Sequence, residues 1–460
     1  MQQTHRPHTD ERLSQTPATP QKITRDILDR YQRTGSTFRM AVLVLGILSL
    51  LGLVGIGIRL AGGFEHRAAW GYYAATYVFI MSTFQGAPLA AVATRLARGD
   101  WRRGFTRVAD LFAVTGLLTL PMFIPMLLAL PPLEGRRSVW MGWPGAPYLY
   151  DTVAMILLPI VGLGLLYASA LPDLAVVRDH ARGARARWLT GLAATWAGTP
   201  RQWRVAKQAL FYLLGPFYLM MFVFAHFLLA ADFSMALVPG WIDAIYPAFH
   251  AVTALQAGLA TLIIAMALVR RFGGCEQYIH MEHFWGLSKL LLALTLMFFY
   301  HWWSSFIILW YGKKPNEQLV LQTLMFGPYF VPFALGWLFS FFLPFFTIIW
   351  NPVRKSITGM VIVASMILVG NFFDRVRLYV SAFSIENPAA HQLEQVPPFT
   401  APDLVDIMII VGSISLAALL YLLAARVIPV IALWEVKEGL LYRVVRPFYR
   451  GHVTVIAKPD

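Results

Sequence analysis

Residues 357–383 read ITGMVIVASMILVGNFFDRVRLYVSAF, an apolar run that carries the string Gly370-Asn371-Phe372-Phe373-Asp374-Arg375-Val376-Arg377. A membrane-crossing helix needs about 20 apolar residues, and this run supplies them. A charged side chain at the centre of such a helix costs about 3 kcal/mol on insertion scales unless it is paired or wetted. The stretch therefore predicts a spanning helix whose charged end faces protein or water rather than lipid.

Nine further apolar segments are placed near 40–62, 69–94, 107–130, 150–176, 207–231, 244–269, 284–311, 322–350 and 404–432. With 357–383 as the ninth in order, they make ten spans. Hydrophobic residues form 58% of the chain and charged ones 13%, a membrane-protein balance. The first 39 residues are polar and basic with no short apolar core, so no signal-peptide pattern is present and the first span is expected to remain as an anchor. The expected organisation is an N-terminal cytoplasmic segment (1–39), a ten-helix membrane domain (40–432) and a cytoplasmic tail (433–460). No loop is long enough for a soluble catalytic domain.

The net charge of +14 would suit a nucleic-acid binder, but its placement does not. With ten spans both termini share a side, and that side holds 28 of the Lys and Arg residues. The opposite loops hold five: Arg67, Arg136, Arg137, Lys313 and Lys314. The positive-inside rule then predicts cytoplasmic termini, in a bacterial inner membrane on the reading below. Runs such as Arg95–Arg107 and Arg178–Arg187 are expected to meet anionic lipid headgroups, with no nucleic-acid role. Residues 22–33 (KITRDILDRYQR) predict a short amphipathic helix on the inner surface, with Ile23, Ile27, Leu28 and Tyr31 toward lipid. Cys275 is the only cysteine, which excludes an internal disulfide, an iron–sulfur site and covalent haem attachment.

A faint repeat runs through the spans. Gln85-Gly86 in span 2 recurs as Gln256-Ala257-Gly258 in span 6, and Leu171-Pro172 in span 4 recurs as Leu343-Pro344 in span 8. Four spans separate each pair, so the units would share one orientation, as parallel repeats do. The expected fold is all-α and polytopic, with ten transmembrane helices in two four-helix bundles (spans 2–5 and 6–9) plus two flanking helices.

Polar residues within the spans are the candidate site. Asp151, His226, Asp232, His250, His301, Asp374, Arg375, Arg377 and Asp406 fall in the outer half or at its rim. Asp110, Asp173, Glu282, His283, Lys289 and Arg426 fall toward the cytoplasm, with only neutral Gln85, Gln256, Thr295, Ser365 and Ser413 between. Two half-channels with a central gap would look like this. Structural readings stand beside the functional ones. Arg375 and Arg377 can snorkel to headgroups, Asp374 and Arg377 can pair at i,i+3, and His250 can be a core histidine beside Tyr246. Lys289 lies inside an apolar run, where an ammonium must find a partner or lose its proton. Haem ligation is disfavoured because the histidines are scattered singly over spans 5–7 rather than paired on facing helices. The aromatic run Phe298–Trp303 suits a quinone pocket less well than a lipid or subunit surface.

Several motifs resemble the NrfD-like family, the membrane subunits of polysulfide reductase and related quinone-linked complexes. They are Tyr150-Asp151, Leu171-Pro172-Asp173-Leu174-Ala175 with Arg178-Asp179, and His226 followed by Asp232-Phe233 and Pro239-Gly240-Trp241. Glu276-Gln277-Tyr278-Ile279, His283, Lys289-Leu290-Leu291-Leu292-Ala293, Trp310-Tyr311-Gly312 and Asn316-Glu317-Gln318 extend the likeness over roughly residues 65–380. Ten spans and the Tyr278-to-Gln318 block are most similar to the two homologous membrane subunits of alternative complex III, which oxidises quinol. In the quinol-binding one, a His near the outer end of span 3 works with an Asp opening span 4. Here Asp151 is present but Pro121–Arg137 contains no His.

The resemblance therefore implies the second subunit, one that offers a proton path and a scaffold and does not itself oxidise quinol. It implies no intrinsic cofactor. Menaquinol, haem c and iron–sulfur clusters are expected in partners: a homologous quinol-binding subunit, an iron–sulfur/molybdopterin-like periplasmic subunit and multihaem cytochromes c. The alternatives are a quinol-binding subunit of another respiratory oxidoreductase and an ion-coupled secondary transporter.

Overall fold

The computed structural model describes residues 19–132, 142–180, 190–441, 443–448 and 451–456. Residues 1–18, Arg136–Arg137 and the Arg182–Arg187 part of the basic run lie outside the described residues. Among the described residues, ten helices are long and apolar enough to cross a membrane. They are span 1 (Ser36–Ala61), span 2 (Arg67–Leu96), span 3 (Thr106–Leu128), span 4 (Tyr148–His180), span 5 (Pro200–Leu237), span 6 (Tyr246–Phe272), span 7 (Met281–Gly312), span 8 (Phe330–Ile348), span 9 (Ile357–Phe383) and span 10 (Leu404–Val427). The chain is a multi-pass, helical membrane protein. An even number of crossings puts the start of span 1 and the end of span 10 on one face, called here the termini face, opposite the far face.

Spans 2–5 pack as one four-helix bundle and spans 6–9 as a second. Span 6 packs against spans 2 and 5, and span 9 against span 2, so these four helices form the seam between the bundles. At the seam the two repeat motifs meet, because a Cβ on Gly258 would lie 2.6 Å from Gly86 Cα. Spans 1 and 10 pair with each other outside the bundles. A Cβ on Gly52 would stand 2.6 Å from Gly412 Cα, the close approach that small residues permit between membrane helices.

Several helices carry π-helical turns: Met81–Gln85 in span 2, Ala209–Leu214 in span 5, Leu338–Phe342 in span 8 and Val376–Val380 at the end of span 9. Such turns shift the side chains that follow around the helix and recur at functional sites. The segment expected at 322–350 is interrupted. A helix over Pro315–Leu321 and a π turn over Gln322–Phe326 precede a break at Gly327, and span 8 begins at Phe330.

Three expectations are corrected on the termini face. The N-terminal helix forms over Pro20–Gln32, but Ile23, Ile27, Leu28 and Tyr31 are buried against protein instead of lipid. Polar contacts dictate this docking. Tyr278 Oη donates to Asp26 at 2.8 Å, Arg30 and Gln277 add bonds to Gly274 O and Asp26, and Tyr31 Oη donates to Val427 O at 2.7 Å. Arg95, Arg102 and Arg107, expected at headgroups, are buried and ion-paired. The tail is also more than a tail. A helix over Leu433–Leu441 buries Trp434 and Glu435, and strands β1 (Arg443–Phe448) and β2 (Gly451–Ile456) form an antiparallel hairpin beyond it. Among the described residues that hairpin is the only sheet, and the membrane domain is all-α as expected.

Candidate functional site

At the seam, in its far half, His226 of span 5 and His250 of span 6 stand with ring centroids 5.3 Å apart, both fully buried. Ser82 Oγ lies 3.3 Å from His226 Nε2, and Tyr379 Oη lies 2.9 Å from His250 Nε2. Spans 2, 5, 6 and 9 thus contribute one hydrogen-bonding side chain each to a row Ser82–His226–His250–Tyr379. Ser82 and Tyr379 sit in the π turns of their spans. Closer to the far face, Tyr246 Oη donates to Ser234 Oγ at 3.0 Å.

Arg375 closes the row on one side. It is fully buried and donates to Thr253 Oγ1 at 2.7 Å, while Asp374 Oδ2 lies 3.6 Å from its guanidinium. Asp374 pairs more tightly with Arg377, at 2.7 Å, and Arg377 lies over the Phe333 ring. Two arginines share one carboxylate, so the cluster holds an excess positive charge. Both arginines are almost fully buried, which removes the snorkelling reading, whereas the i,i+3 pairing of Asp374 with Arg377 is present. Among the described residues, His250 Nδ1, Asn371 Oδ1, Ser340 Oγ, Asp374 Oδ2 and the Nε and Nη1 atoms of Arg375 have no hydrogen-bond partner. Buried polar atoms of this kind are commonly met by ordered water. The geometry is that of a charged polar cluster buried at the bundle seam.

A second cluster lies near the termini face. Arg95 forms a two-pronged pair with Asp110 at 2.8 and 2.6 Å and reaches Glu435 at 3.0 Å. Ser169 Oγ donates to Asp110 at 2.6 Å, and Arg107 binds Asp173 at 3.1 Å and Ser169 O at 2.5 Å. Asp173 accepts the backbone N–H groups of Leu433 and Trp434 at 3.1 and 3.0 Å. With Arg102 3.8 Å from Glu435, three arginines face three carboxylates, a balanced set that fastens the C-terminal helix to spans 2–4. Burial alone would push the Glu435 carboxyl up, but Arg95 and Arg102 outweigh it and hold the group below the ordinary glutamate value.

Neutral groups lie between the clusters. Tyr218 Oη donates to Gln85 Oε1 at 2.7 Å, and Gln256 Nε2 donates to Thr295 Oγ1 at 2.9 Å and Ser340 O at 3.0 Å. The two repeat glutamines thus serve matching places in the two bundles.

Of the sequence-predicted site residues, the structure gathers His226, His250, Asp374 and Arg375 into the seam. Asp173 belongs to the ion-paired cluster. Asp151 is buried at the start of span 4 and Asp232 near the far end of span 5, each outside the row. His283 is buried at the start of span 7, where its Nδ1 accepts the backbone N–H of His280 at 2.8 Å. Asp406 pairs with Arg59 at 2.8 Å on the far rim. Lys289 and His301 do not join. Lys289 stands on the outer face of span 7, away from the seam, with its ammonium 3.5 Å over the Trp285 ring. His301 bonds only locally, to Met297 O at 2.8 Å. Ser82, Thr253 and Tyr379 are the site members that sequence reasoning missed. Thr253, one turn beyond His250, is the one whose spacing offered a signal.

Fold and site together define a polytopic membrane protein with a charged polar cluster buried between two helical bundles. No family model matches the sequence, and no curated protein matches it.

Proposed function

We propose that this chain is an integral subunit of a quinol-oxidising electron-transfer complex of the alternative complex III type, and that its seam carries protons. The observation that supports the reading best is the row Ser82–His226–His250–Tyr379, which joins both bundles and is flanked by buried polar atoms that have no hydrogen bond among the described residues. Histidine is the side chain whose ordinary pKa suits proton exchange near neutrality. Arg375 supplies a fixed positive charge beside the row, a barrier that a proton passes only in step with hydration or charge elsewhere. The charge bias of the loops supports cytoplasmic termini, and the row then lies in the periplasmic half. Quinol oxidation belongs to a homologous partner, because the segment before Asp151 offers no histidine to accept its proton.

The test is proton release per electron in vesicles holding the intact complex. His250→Phe should lower that ratio while quinol turnover persists, and Asp151→Asn should leave both unchanged. An unaltered ratio in His250→Phe, with the complex assembled, would remove the seam from the proton path. Purification in mild detergent separates the rival class. Multihaem cytochrome and iron–sulfur partners should accompany the chain, and a partner-free chain that moves a solute would make it a transporter instead.

A further inference from the structure

A long apolar groove opens where spans 1 and 10 stand apart from spans 6 and 9. Its volume is about 1220 Å³. On span 10 its wall follows one helical stripe through Ile410, Ile414, Ala418, Leu422 and Ala425. Fifteen residues at 1.5 Å rise give this stripe a length of about 23 Å, more than half the roughly 30 Å hydrocarbon core. Such a trough matches an extended acyl chain in length and chemistry.

Its mouth is different. At the termini face the N-terminal helix lies across the opening. Tyr31 ties it to the end of span 10 through Val427 O, and Asp26 and Arg30 tie it to the loop after span 6 through Tyr278 and Gly274. Arg30, Arg33 and Arg426 all line the opening. Arg30 is neutralised by Asp26 at 2.9 Å. Arg426 is among the residues that hold the end of this helix, donating to Tyr31 O at 2.7 Å and Arg33 O at 3.2 Å and lying over the Phe38 ring. Arg33 is exposed. An apolar trough of acyl length that ends under an arginine-bearing helix selects a molecule with a long apolar tail and an anionic head.

We propose that this groove binds a diacyl phospholipid with an anionic headgroup, its phosphate at Arg33 and Arg426 and an acyl chain along span 10. The lipid fills the gap between the span 1–span 10 pair and the bundles, and its head completes the contacts of the N-terminal helix. The arginine-bearing mouth of the site lies at the termini face, away from the histidine row, while its apolar wall runs on past Thr83 and Phe373.

The test uses the full chain in vesicles of equal phosphatidylglycerol and phosphatidylcholine, released into mild detergent and weighed intact with its bound lipid. Phosphatidylglycerol should be retained in preference. Arg33→Gln should reduce that preference roughly fivefold, the worth of one basic side chain at an anionic surface. Ala418→Phe, which fills the trough, should abolish retention of either lipid. Equal retention of the two lipids by the unaltered chain would overturn the proposal. So would an Arg33→Gln preference equal to that of the unaltered chain, or a quinone displacing the lipid when added to the vesicles. Should Ala418→Phe fail to fold, Arg33→Gln, at an exposed position, decides the matter alone.

Discussion

Gly86 and Gly258 touch backbone to backbone at the centre of the seam, and a Cβ on either would fall 3.1 Å or less from the other's Cα. These are the glycines of the two repeated motifs, so the likeness between the halves of the chain is also the place where the halves meet. No side chain can move aside there, because the obstructing atoms are main chain. Gly258→Ala should therefore destabilise the protein by about 1–3 kcal/mol through overpacking. Thermal unfolding of the purified chain in detergent measures it. A melting curve unchanged by the substitution would mean that the bundles do not close at this contact.

The ion-paired cluster at the termini face predicts a large mutational effect of a different kind. Glu435→Gln removes one of three buried carboxylates and leaves Arg95 and Arg102 undercompensated. Breaking a buried pair from one side costs about 3–5 kcal/mol. Loss of protease resistance in the C-terminal helix should accompany it.

The same residue sets an acid limit. The Glu435 carboxyl titrates below its ordinary value in the folded chain. Its contribution is complete above the unfolded value of about 4.3 and is lost as pH falls through the folded one. Stability owed to Glu435 should be flat from pH 7 to pH 5 and decline below about pH 4. Glu435→Gln should flatten that decline, as a denaturant series at several pH values would reveal.

Lys289→Gln should lower stability by about 0.5–1 kcal/mol, the worth of the one cation–π contact its ammonium makes with the Trp285 ring on the outer face of span 7. It should leave proton release per electron unchanged, in contrast to His250→Phe. A drop equal to that of His250→Phe would place span 7 in the path.

Burial pushes the Cys275 thiol up to about 11, so the nucleophilic thiolate is scarce at pH 7. Maleimide should label the folded chain far more slowly than the denatured one. Removing residues 1–33 should raise the rate, because Asp26 and Arg30 of the N-terminal helix dock on the loop that holds Cys275. Equal rates with and without the helix would show that it does not shield this loop.

The spans were legible because hydropathy accumulates over some twenty residues, and the two-bundle plan because Gln85-Gly86 and Gln256-Ala257-Gly258 mark equivalent places. What a hydropathy pattern cannot say is which face of a helix meets protein. Lys289 and His250 both interrupt apolar runs, yet one points outward onto Trp285 and the other into the seam. Arg95 and Arg107 looked like loop charges because their partners Asp110 and Asp173 lie on other elements. Ile23, Ile27, Leu28 and Tyr31 were rightly grouped on one helical face, but an apolar face reads alike whether lipid or protein covers it. Ser82 and Tyr379 escaped notice since neutral hydroxyls hardly disturb a hydropathy profile, and π turns leave no simple sequence mark.

The tight pairing of span 1 with span 10 has a consequence for how the chain is made. The Gly52 notch is filled by Gly412, a residue synthesised 360 positions later. Span 1 leaves the ribosome first and must reside in the bilayer without its chief neighbour until almost every other helix has entered. Assembly cannot then proceed strictly from the first helix to the last. A nascent chain arrested before span 10 would keep an unmatched small-residue stripe on span 1, a feature by which quality-control proteases could tell unfinished molecules from finished ones.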